Sequence, residues 1–455
     1  MSNKGQSGKR ASFSGKIGYV LAVAGSAVGL GNIWRFPYLA AKYGGGIFLL
    51  VYLILTVTFG YVLIMSETAL GRMTRKSPVG AYQTFGKTKS FKIGGWLNAV
   101  IPMLIVPYYS SIGGWVIKYL VEYLKGNVQT VAQDGYFTEF ISDSFQVEAW
   151  FIVFAVLVFC VILAGVENGV ERVSKIMMPI LVILAVIVAI YSVTRPGAIE
   201  GVKYFLIPNP KHFSAMTVVA AMGQMFYSLS IAMGILYTYG SYIGKDVDLE
   251  KSTTQVEIFD TAIAMLAGLM IIPAVYTFMG TEGMSAGPGL MFVSLPKVFK
   301  AMGAAGVLVG IVFFLMVSFA AVTSSVSVME AIVSSMMDKF HVSRKKGTIL
   351  TTLYGMIVGV IVCLGYNKLY FELKLPNGTV AQILDVMDYI SNNCLMPMVA
   401  LLTCILIGWV VKPKVIIDEV TLGGYRFGRE KLYVAMIKVI APLMLLILLV
   451  QSVGL

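Results

Sequence analysis

Stretches of hydrophobic residues long enough to cross a bilayer recur along almost the whole chain, separated by short polar segments. About 20 helical residues span the hydrocarbon core, so each stretch predicts a transmembrane helix. The pattern predicts eleven such helices, at approximately residues 17–40, 46–72, 93–124, 148–165, 171–193, 216–240, 253–280, 304–339, 347–367, 381–411 and 433–453. The predicted fold is therefore an all-α membrane protein.

Two of the predicted helices contain glycines and polar residues at mid-membrane depth. The first carries Gly25-Ser-Ala-Val-Gly-Leu-Gly-Asn-Ile-Trp-Arg-Phe-Pro37, and the sixth carries Gly223-Gln-Met-Phe-Tyr-Ser-Leu-Ser-Ile-Ala-Met-Gly234. Irregular backbone is tolerated in a bilayer where it lines a protected polar cavity. Small residues that only let helices pack closely are the alternative. Because the two segments hold corresponding positions, a central substrate site between interrupted helices is the better interpretation.

This pairing predicts one transmembrane domain over residues 1–455. Its two inverted halves, of five helices each, cover approximately residues 10–193 and 213–411, and helices one and six are discontinuous. One additional C-terminal helix, at residues 433–453, follows the second half.

Composition and charge agree with a membrane protein. The chain is 58% hydrophobic and only 13% charged, which excludes an ordinary soluble domain. Its net charge of +12 comes largely from basic clusters in alternate loops, at residues 4–16, 72–92, 344–346 and 412–431. The positive-inside rule places these loops and the N-terminus in the cytoplasm, with the C-terminus outside a multi-pass plasma-membrane protein. The charge therefore indicates orientation, and we expect no nucleic-acid partner.

Enzyme chemistry is not indicated. The four cysteines lie in or beside apolar stretches without metal-binding spacing, and the two histidines lie in predicted loops. The sequence offers no nucleophile–base set and no motif for an organic cofactor. We expect a non-enzymatic protein.

Further motifs accompany the two interrupted segments, namely Gly44-Gly-Gly46, Glu67-Thr-Ala-Leu-Gly-Arg72, Tyr108-Tyr109 and Thr323-Ser324-Ser325. In order and spacing, over nearly its whole length, the chain resembles the neurotransmitter:sodium symporter family, in its bacterial amino-acid transporter branch. The resemblance implies sodium-driven import of an L-amino acid across the lipid bilayer by alternating access. One chain contains the complete site, so a monomer suffices, and the sequence leaves the oligomeric state open.

The resemblance implies two sodium ions, for which oxygen atoms are suitable ligands. The first site would use the Ala27 carbonyl, the side chains of Asn32 and Ser228, and a helix 7 residue. Asp260 is the expected helix 7 ligand, and Glu257, one turn earlier, is the alternative. Animal members need chloride near Tyr52, Gln224 and Ser228, whereas the charge of Asp260 implies that chloride is not required here.

The second sodium site implied by the resemblance lies between helices 1 and 8. It would combine the carbonyls of Gly25, Val28 and Ala320 with the hydroxyls of Thr323 and Ser324. The alternative for the two hydroxyls is hydrogen bonding within their own helix. Helix 5 carries Gly169 and Pro179, a spacing that allows either unwinding towards this site or a static kink.

The resemblance also implies a substrate pocket. The carboxylate of the bound amino acid would complete the coordination of the first sodium ion. It would also accept hydrogen bonds from the amides of Leu30 and Gly31 and from the Tyr109 hydroxyl. Gly29 stands where monoamine carriers have an aspartate, which argues against monoamine substrates. The expected contacts are Ser26, Ala27, Val28, Leu30, Gly31, Ile105, Tyr109, Tyr227, Ser228, Ser230, Ala232, Met233, Ser324 and Val328. Because most of these side chains are apolar, a hydrophobic amino acid, aliphatic or aromatic, is expected.

Charged pairs are expected to close the two sides of this pocket. Arg35 and Asp388 match the family's outer gate, and Arg10 and Asp338, with Tyr242 nearby, match an inner gate. Gates on both sides argue against a continuous channel. A transport-incompetent amino-acid receptor with the same pocket is the remaining alternative.

Overall fold

The computed structural model describes residues 11–86, 89–283, 289–376 and 380–452, and these residues are predominantly helical. In chain order the helices are α1 (Lys16–Ala27), α2 (Gly31–Lys42), α3 (Gly46–Thr74), α4 (Pro78–Phe85), α5 (Lys89–Leu124), α6 (Val128–Val131), α7 (Tyr136–Ser142), α8 (Ser144–Leu163), α9 (Val166–Val193), α10 (Ala198–Leu206), α11 (Ala215–Ser228), α12 (Ile235–Gly240), α13 (Leu249–Gly283), α14 (290–301), α15 (Ala304–Phe340), α16 (Arg344–Leu364), α17 (Ile383–Val411), α18 (Pro413–Val420) and α19 (Glu430–Ser452). Two short strands, β1 (Leu373–Lys374) and β2 (Val380–Ala381), pair antiparallel with Leu373 opposite Ala381.

Nine helices in this described part are long and apolar enough to cross a membrane without interruption, namely α3, α5, α8, α9, α13, α15, α16, α17 and α19. Helices α1 and α2 pass the same test together as one bent pair, with an angle of 44° between them. The region of the sixth predicted helix is divided into α11 and α12, of 14 and 6 residues, each too short to span alone. The structure is thus a predominantly helical multi-pass protein, while the count of eleven spans and the inverted repeat remain predictions.

Several helices begin earlier than their hydrophobic pattern predicts. Helix α5 begins at Lys89 and α13 at Leu249, each about one turn before the apolar stretch. Polar side chains at the helix starts explain part of the difference, because they satisfy amides that have no helical acceptor. The Asp248 carboxylate accepts from the Lys251 amide before α13, and Ser214 caps α11 in a reciprocal pair with Thr217.

The first break separates α1 from α2 at residues 28–30. The Val28 amide still bonds to the Ala24 carbonyl at 2.7 Å, whereas the Leu30 amide donates to the Tyr109 hydroxyl at 2.9 Å. A side chain of α5 therefore replaces a helical acceptor. This substitution keeps the backbone satisfied at a depth where water is scarce.

The second break, at residues 229–234, separates α11 from α12 and contains left-handed backbone. Ser230, Ala232 and Gly234 have φ values of 56°, 61° and 76°, in the left-handed region. This conformation is costly for Ser230 and Ala232, which carry a Cβ. The Ala232 amide donates to the Glu67 carboxylate of α3 at 3.0 Å, so a neighbouring helix stabilises this break as well.

Helix α1 lies at the centre of the molecule, against α9, α13 and α15. Gly25 permits its close approach, because a Cβ there would lie 3.2 Å from Ser174 Oγ and 3.4 Å from Thr323 Cβ. Helix α9 begins with a wide turn at Val166–Glu171 that contains Gly169, and it continues helically past Pro179. In this structure the fifth predicted helix is therefore wound through both residues.

Helices α3 and α12 also approach closely, through two glycines. A Cβ at Gly71 would lie 2.1 Å from the Tyr237 carbonyl oxygen, and one at Gly240 would lie 2.4 Å from the Thr68 carbonyl oxygen. Small residues at such crossings let helix backbones meet inside a membrane. The contact fixes α12, and with it one end of the second break, against α3.

We expect Gly71→Ala to lower the free energy of unfolding by about 1–3 kcal/mol, because the added methyl group overpacks a backbone contact. The measurement is thermal or denaturant unfolding in detergent. Gly347→Ala is the matched control, since its Cβ would meet Val333 Cγ1 at an ordinary 3.5 Å. Equal stability of the two variants would contradict the close helix crossing.

Candidate functional site

A small cavity of about 10 Å³ lies where the two broken helices meet. It is lined by Ser26, Ala27, Gly29, Gly31, Ile105, Tyr109, Tyr227, Ser230, Met233, Ser324 and Val328. These residues come from helices α1, α2, α5, α11 and α15 and from both breaks. The volume is close to that needed for one water molecule, so an amino acid can enter only when the walls move apart.

The structure brings most of the expected substrate contacts to this cavity. Ser26, Ala27, Gly31, Ile105, Tyr109, Tyr227, Ser230, Met233, Ser324 and Val328 line it, and Gly29 lines it in addition. Val28, Leu30, Ser228 and Ala232 do not. Three of them are engaged elsewhere. Ser228 donates a hydrogen bond to Asp260, and the amides of Leu30 and Ala232 donate to Tyr109 and Glu67.

The last turn of α1 touches the second break beside the cavity. The hydroxyl oxygens of Ser26 and Ser230 are 2.8 Å apart, and both side chains are buried. Gly29 brings a third element close, because a Cβ there would lie 2.6 Å from the Tyr109 hydroxyl and 2.9 Å from Ser324 Cβ. The backbone of the first break thus lies directly against α5 and α15, and position 29 has no room for a side chain.

A buried carboxylate cluster lies next to the first break. Asp260 Oδ1 accepts hydrogen bonds from Asn32 Nδ2 at 2.8 Å and Ser228 Oγ at 2.5 Å, and Asp260 Oδ2 accepts from the Tyr52 hydroxyl at 2.5 Å. Asn32, Tyr52 and Asp260 are fully buried. Glu257, the alternative helix 7 ligand, instead pairs with Arg429 at 2.9 Å. The carboxylate beside Asn32 is therefore that of Asp260.

One oxygen of this cluster is not satisfied. Among the described residues, none donates a hydrogen bond to Asn32 Oδ1, although this atom is buried. A buried polar atom without a partner carries a desolvation cost. An unpartnered amide oxygen beside a buried carboxylate is suitable for a small cation, because both groups offer oxygen lone pairs.

The expected second sodium ligands divide between the end of α1 and the middle of α15. Gly25 faces Thr323, and the Thr323 hydroxyl donates within its own helix to the Phe319 carbonyl at 2.9 Å. This is the alternative that the sequence offered for Thr323, although the hydroxyl oxygen keeps lone pairs for a cation. Ser324 lies on the cavity side, with its Oγ 2.8 Å from a Cβ built at Gly29. Val28 and Ala320 are fully buried in the same region.

On the predicted outer side, Arg35 covers the cavity differently from the expected ion pair. Its guanidinium lies 5.3 Å from the centroid of the Tyr227 ring, and its Nη1 lies 3.5 Å from the Gly223 carbonyl oxygen. Asp388 accepts instead from Asn392 Nδ2 at 2.5 Å. Arg35 and Asp388, both described residues, do not form a direct ion pair, because each is engaged by a neighbour.

The predicted inner gate is only partly described. Arg10 lies outside the described residues, so its pairing with Asp338 stays a prediction. Asp338 Oδ2 accepts a hydrogen bond from the Ser77 amide at 2.5 Å. The buried Phe13 packs against Tyr242, with the two ring centroids 5.8 Å apart.

Sequence reasoning missed the partners of Tyr242. The Tyr242 hydroxyl donates to Glu330 Oε1 at 2.6 Å, and Glu330 Oε2 pairs with Arg344 Nη2 at 2.6 Å. Glu330 is a carboxylate within a membrane-length helix, and such groups need a partner. That rule, applied to the nearby basic cluster, could have identified Arg344.

Comparison with known proteins identifies this arrangement. The model of the sodium:neurotransmitter symporter family matches residues 10–146 and 122–454. The chain belongs to this family. Its members are transporters and not enzymes, and the chain is accordingly a sodium-dependent, multi-pass membrane transporter.

Relatives within the sodium:neurotransmitter symporter family cover the full chain. The chain is similar to the uncharacterized sodium-dependent transporter YhdH of Bacillus subtilis, with 34% identity over 98% of both chains. It is 30% identical to a sodium-dependent transporter of Haemophilus influenzae, also over 98% of both. The crystal structure of MhsT in complex with L-phenylalanine is 34% identical, with a TM-score of 0.89 over 97% of this chain and 100% of MhsT.

We expect Gly29→Ala to reduce sodium-dependent binding of the transported substrate roughly tenfold or more, because the methyl group would overlap Tyr109 and Ser324. Scintillation proximity binding on purified protein measures this. Gly223→Ala is the matched control, since a Cβ there meets nothing within 4 Å. Both variants are checked for an unchanged melting temperature, and full binding by a folded Gly29→Ala protein would contradict the tight wall.

Proposed function

We propose that this transporter imports a hydrophobic L-amino acid together with two sodium ions, without requiring chloride. The observation that carries the proposal is the Asp260 cluster, with an unpartnered Asn32 oxygen, beside a cavity formed by two broken helices. The proposed first ion would bind the Ala27 carbonyl, Asn32, Ser228 and Asp260. The second would bind Gly25, Val28, Ala320, Thr323 and Ser324.

Coupling between ion and amino acid follows from shared ligands. Ala27 lines the cavity, and Asn32 lies one residue beyond the cavity-lining Gly31. A substrate carboxylate in the cavity would complete the coordination of an ion held by Asp260 and Asn32. Each ligand then raises the affinity for the other, because binding free energies are reciprocal.

The substrate class is supported by the cavity wall. Ile105, Met233 and Val328 provide apolar side chains, and the Leu30 amide and Tyr109 hydroxyl can turn towards a carboxylate at the start of α2. Position 29 has no room for the aspartate that a monoamine would need. Together with the L-phenylalanine bound by MhsT, these features favour an aliphatic or aromatic amino acid.

Independence from chloride is supported by the donors around Asp260. Tyr52 and Ser228, which would otherwise be free to bind an anion, both donate to this carboxylate. Asp260 therefore supplies, as part of the chain, the negative charge that chloride would provide. Human GABA transporter 2, a more distant relative at 28% identity, is described as sodium- and chloride-dependent.

Transport would proceed by alternating access within a single domain. We propose inverted halves at residues 10–193 and 213–411, an extra helix at 433–453, a cytoplasmic N-terminus and an extracellular C-terminus. Arg35 with Asp388 would open and close the outer side, and Arg10, Asp338 and Tyr242 the inner side. One monomer contains every proposed ligand.

A receptor with the same pocket would bind the amino acid without moving it. Counterflow in proteoliposomes separates the two functions, because only a carrier exchanges labelled external amino acid for unlabelled internal amino acid. We expect counterflow in the presence of sodium. Binding without counterflow would favour the receptor.

Competition by all twenty amino acids against sodium-dependent L-phenylalanine uptake tests the substrate class. We expect aliphatic and aromatic amino acids to compete and charged ones not to. Met233→Ala should shift the preference towards larger side chains by about tenfold, because it enlarges the cavity wall. Met222→Ala, buried in α11 away from the cavity, is the control. Competition only by polar amino acids would refute the assignment.

Replacing chloride with gluconate should leave sodium-driven uptake unchanged. Asp260→Asn should lower the apparent sodium affinity at least tenfold, because losing a buried charge partner costs about 2–5 kcal/mol. Glu257→Gln also removes a buried carboxylate of α13 but leaves the Asn32 cluster intact, so its sodium affinity should stay near that of the parent protein. Loss of uptake without chloride, or equal effects of the two variants, would contradict the role of Asp260.

A further inference from the structure

A second and much larger cavity, of about 430 Å³, lies away from the substrate site. It lies between the segment that joins α3 to α5 and the C-terminal end of α15. Its polar lining consists of Lys76, Gln83, Asp338, Lys339 and His341. The ends of these helices belong to the membrane face predicted to be cytoplasmic. Neither sodium binding nor substrate binding uses this cavity.

The cavity presents positive charge with little compensation. Neither Lys76 nor Lys339 forms an ion pair with a carboxylate in the described part of the chain. Among the described residues, Lys76 Nζ has only the Thr84 hydroxyl as a partner, at 3.4 Å. Within the same part of the chain, Asp338 is the one carboxylate that lines the cavity, and it accepts a hydrogen bond from the Ser77 amide. Two lysines that line the same cavity are suited to bind an anion with several oxygen atoms.

The rim of the cavity is apolar and exposed. Lys339 Nζ lies 5.6 Å from the centroid of the Trp96 ring, and the rings of Trp96 and Phe340 are 6.3 Å apart. Phe340 is 59% exposed, and Ile93, one turn before Trp96 on α5, is 55% exposed. Aromatic residues at the ends of membrane helices lie at the headgroup level. A free inorganic anion has no apolar part that could pack on this rim, whereas the acyl chains of a lipid could.

We propose that this cavity binds the phosphate of an anionic phospholipid headgroup, with the acyl chains along Trp96, Phe340 and Ile93. Lys76 and Lys339 hold the phosphate from opposite walls, one at the end of α3 and the other at the end of α15. Basic pockets between helices on the cytoplasmic side are suited to such headgroups. The lipid would thus bridge the segment that follows α3 and the end of α15.

The test is a titration of purified protein in detergent with phosphatidylglycerol or, separately, phosphatidylcholine, read out as the melting temperature without sodium or amino acid. Phosphatidylglycerol should raise the melting temperature and phosphatidylcholine should not. In Lys76→Gln/Lys339→Gln, the phosphatidylglycerol concentration for the half-maximal shift should rise at least roughly tenfold. Both lysines are exposed, so folding is preserved. The Lys76→Arg/Lys339→Arg variant should retain the shift.

The matched control is Lys345→Gln/Lys346→Gln, which removes the same charge from exposed residues that do not line the cavity. It should respond like the parent protein. An equal loss in this control would attribute the effect to general surface charge and overturn the proposal. A shift reproduced by millimolar inorganic phosphate alone would also overturn it, since the ligand would then be the free anion. Because no transport is measured, failure here is distinguishable from failure of the proposed function.

Discussion

A backbone amide that loses its helical hydrogen bond within a bilayer needs another acceptor, because the hydrocarbon core contains no water that could accept from it. In this protein the broken helices meet that requirement with side chains of neighbouring helices. The Leu30 amide uses the Tyr109 hydroxyl, and the Ala232 amide uses the Glu67 carboxylate. The breaks are therefore properties of the assembled bundle, and the cavity between them exists only while α3 and α5 hold their positions.

The same constraint explains why charge collects beside the breaks. Asp260 is surrounded by hydrogen-bond donors from Asn32, Ser228 and Tyr52, which stabilise a carboxylate but do not neutralise it. Asn32 donates its amide N–H to Asp260, and among the described residues its amide oxygen then has no partner. A monovalent cation would satisfy that oxygen and offset the buried charge in one step. If the proposed first sodium ion binds here, its site is a consequence of how the first break is satisfied.

Hydropathy predicted the helices well because bilayer thickness fixes their length, and residues 304–339, for example, correspond to α15 within one residue. Glycine and polar residues within membrane-length apolar stretches also indicated both breaks, because irregular backbone at that depth lines a protected polar cavity. Finding which carboxylate lies beside Asn32, Asp260 or Glu257, required coordinates, because three residues along one helix separate the partner of Asn32 from the partner of Arg429. The sites' assignment to sodium and to an amino acid came from the resemblance and not from periodicity.

Contacts between distant helix ends were the least predictable. The gate of Arg35 and Asp388 stays a prediction, and the structure adds that the guanidinium lies 5.3 Å from the centroid of the Tyr227 ring, a contact that no pattern along the chain reports. The links of Glu330 to Arg344, and of Lys76 across a cavity to Lys339, depend on the tertiary arrangement in the same way. They connect the ends of separate helices, so their geometry changes whenever those helices move.

The small volume of the central cavity links these observations to transport. With only about 10 Å³ between its walls, the site cannot bind an amino acid by filling a preformed space. Binding must separate Tyr227 and Met233 from α1, and the free energy of the new contacts must exceed the cost of that separation. Under the proposed function, a sodium ion that shares ligands with the substrate would lower this cost, because it would hold the first break in place. These shared ligands are the physical reason why we expect neither to cross without the other.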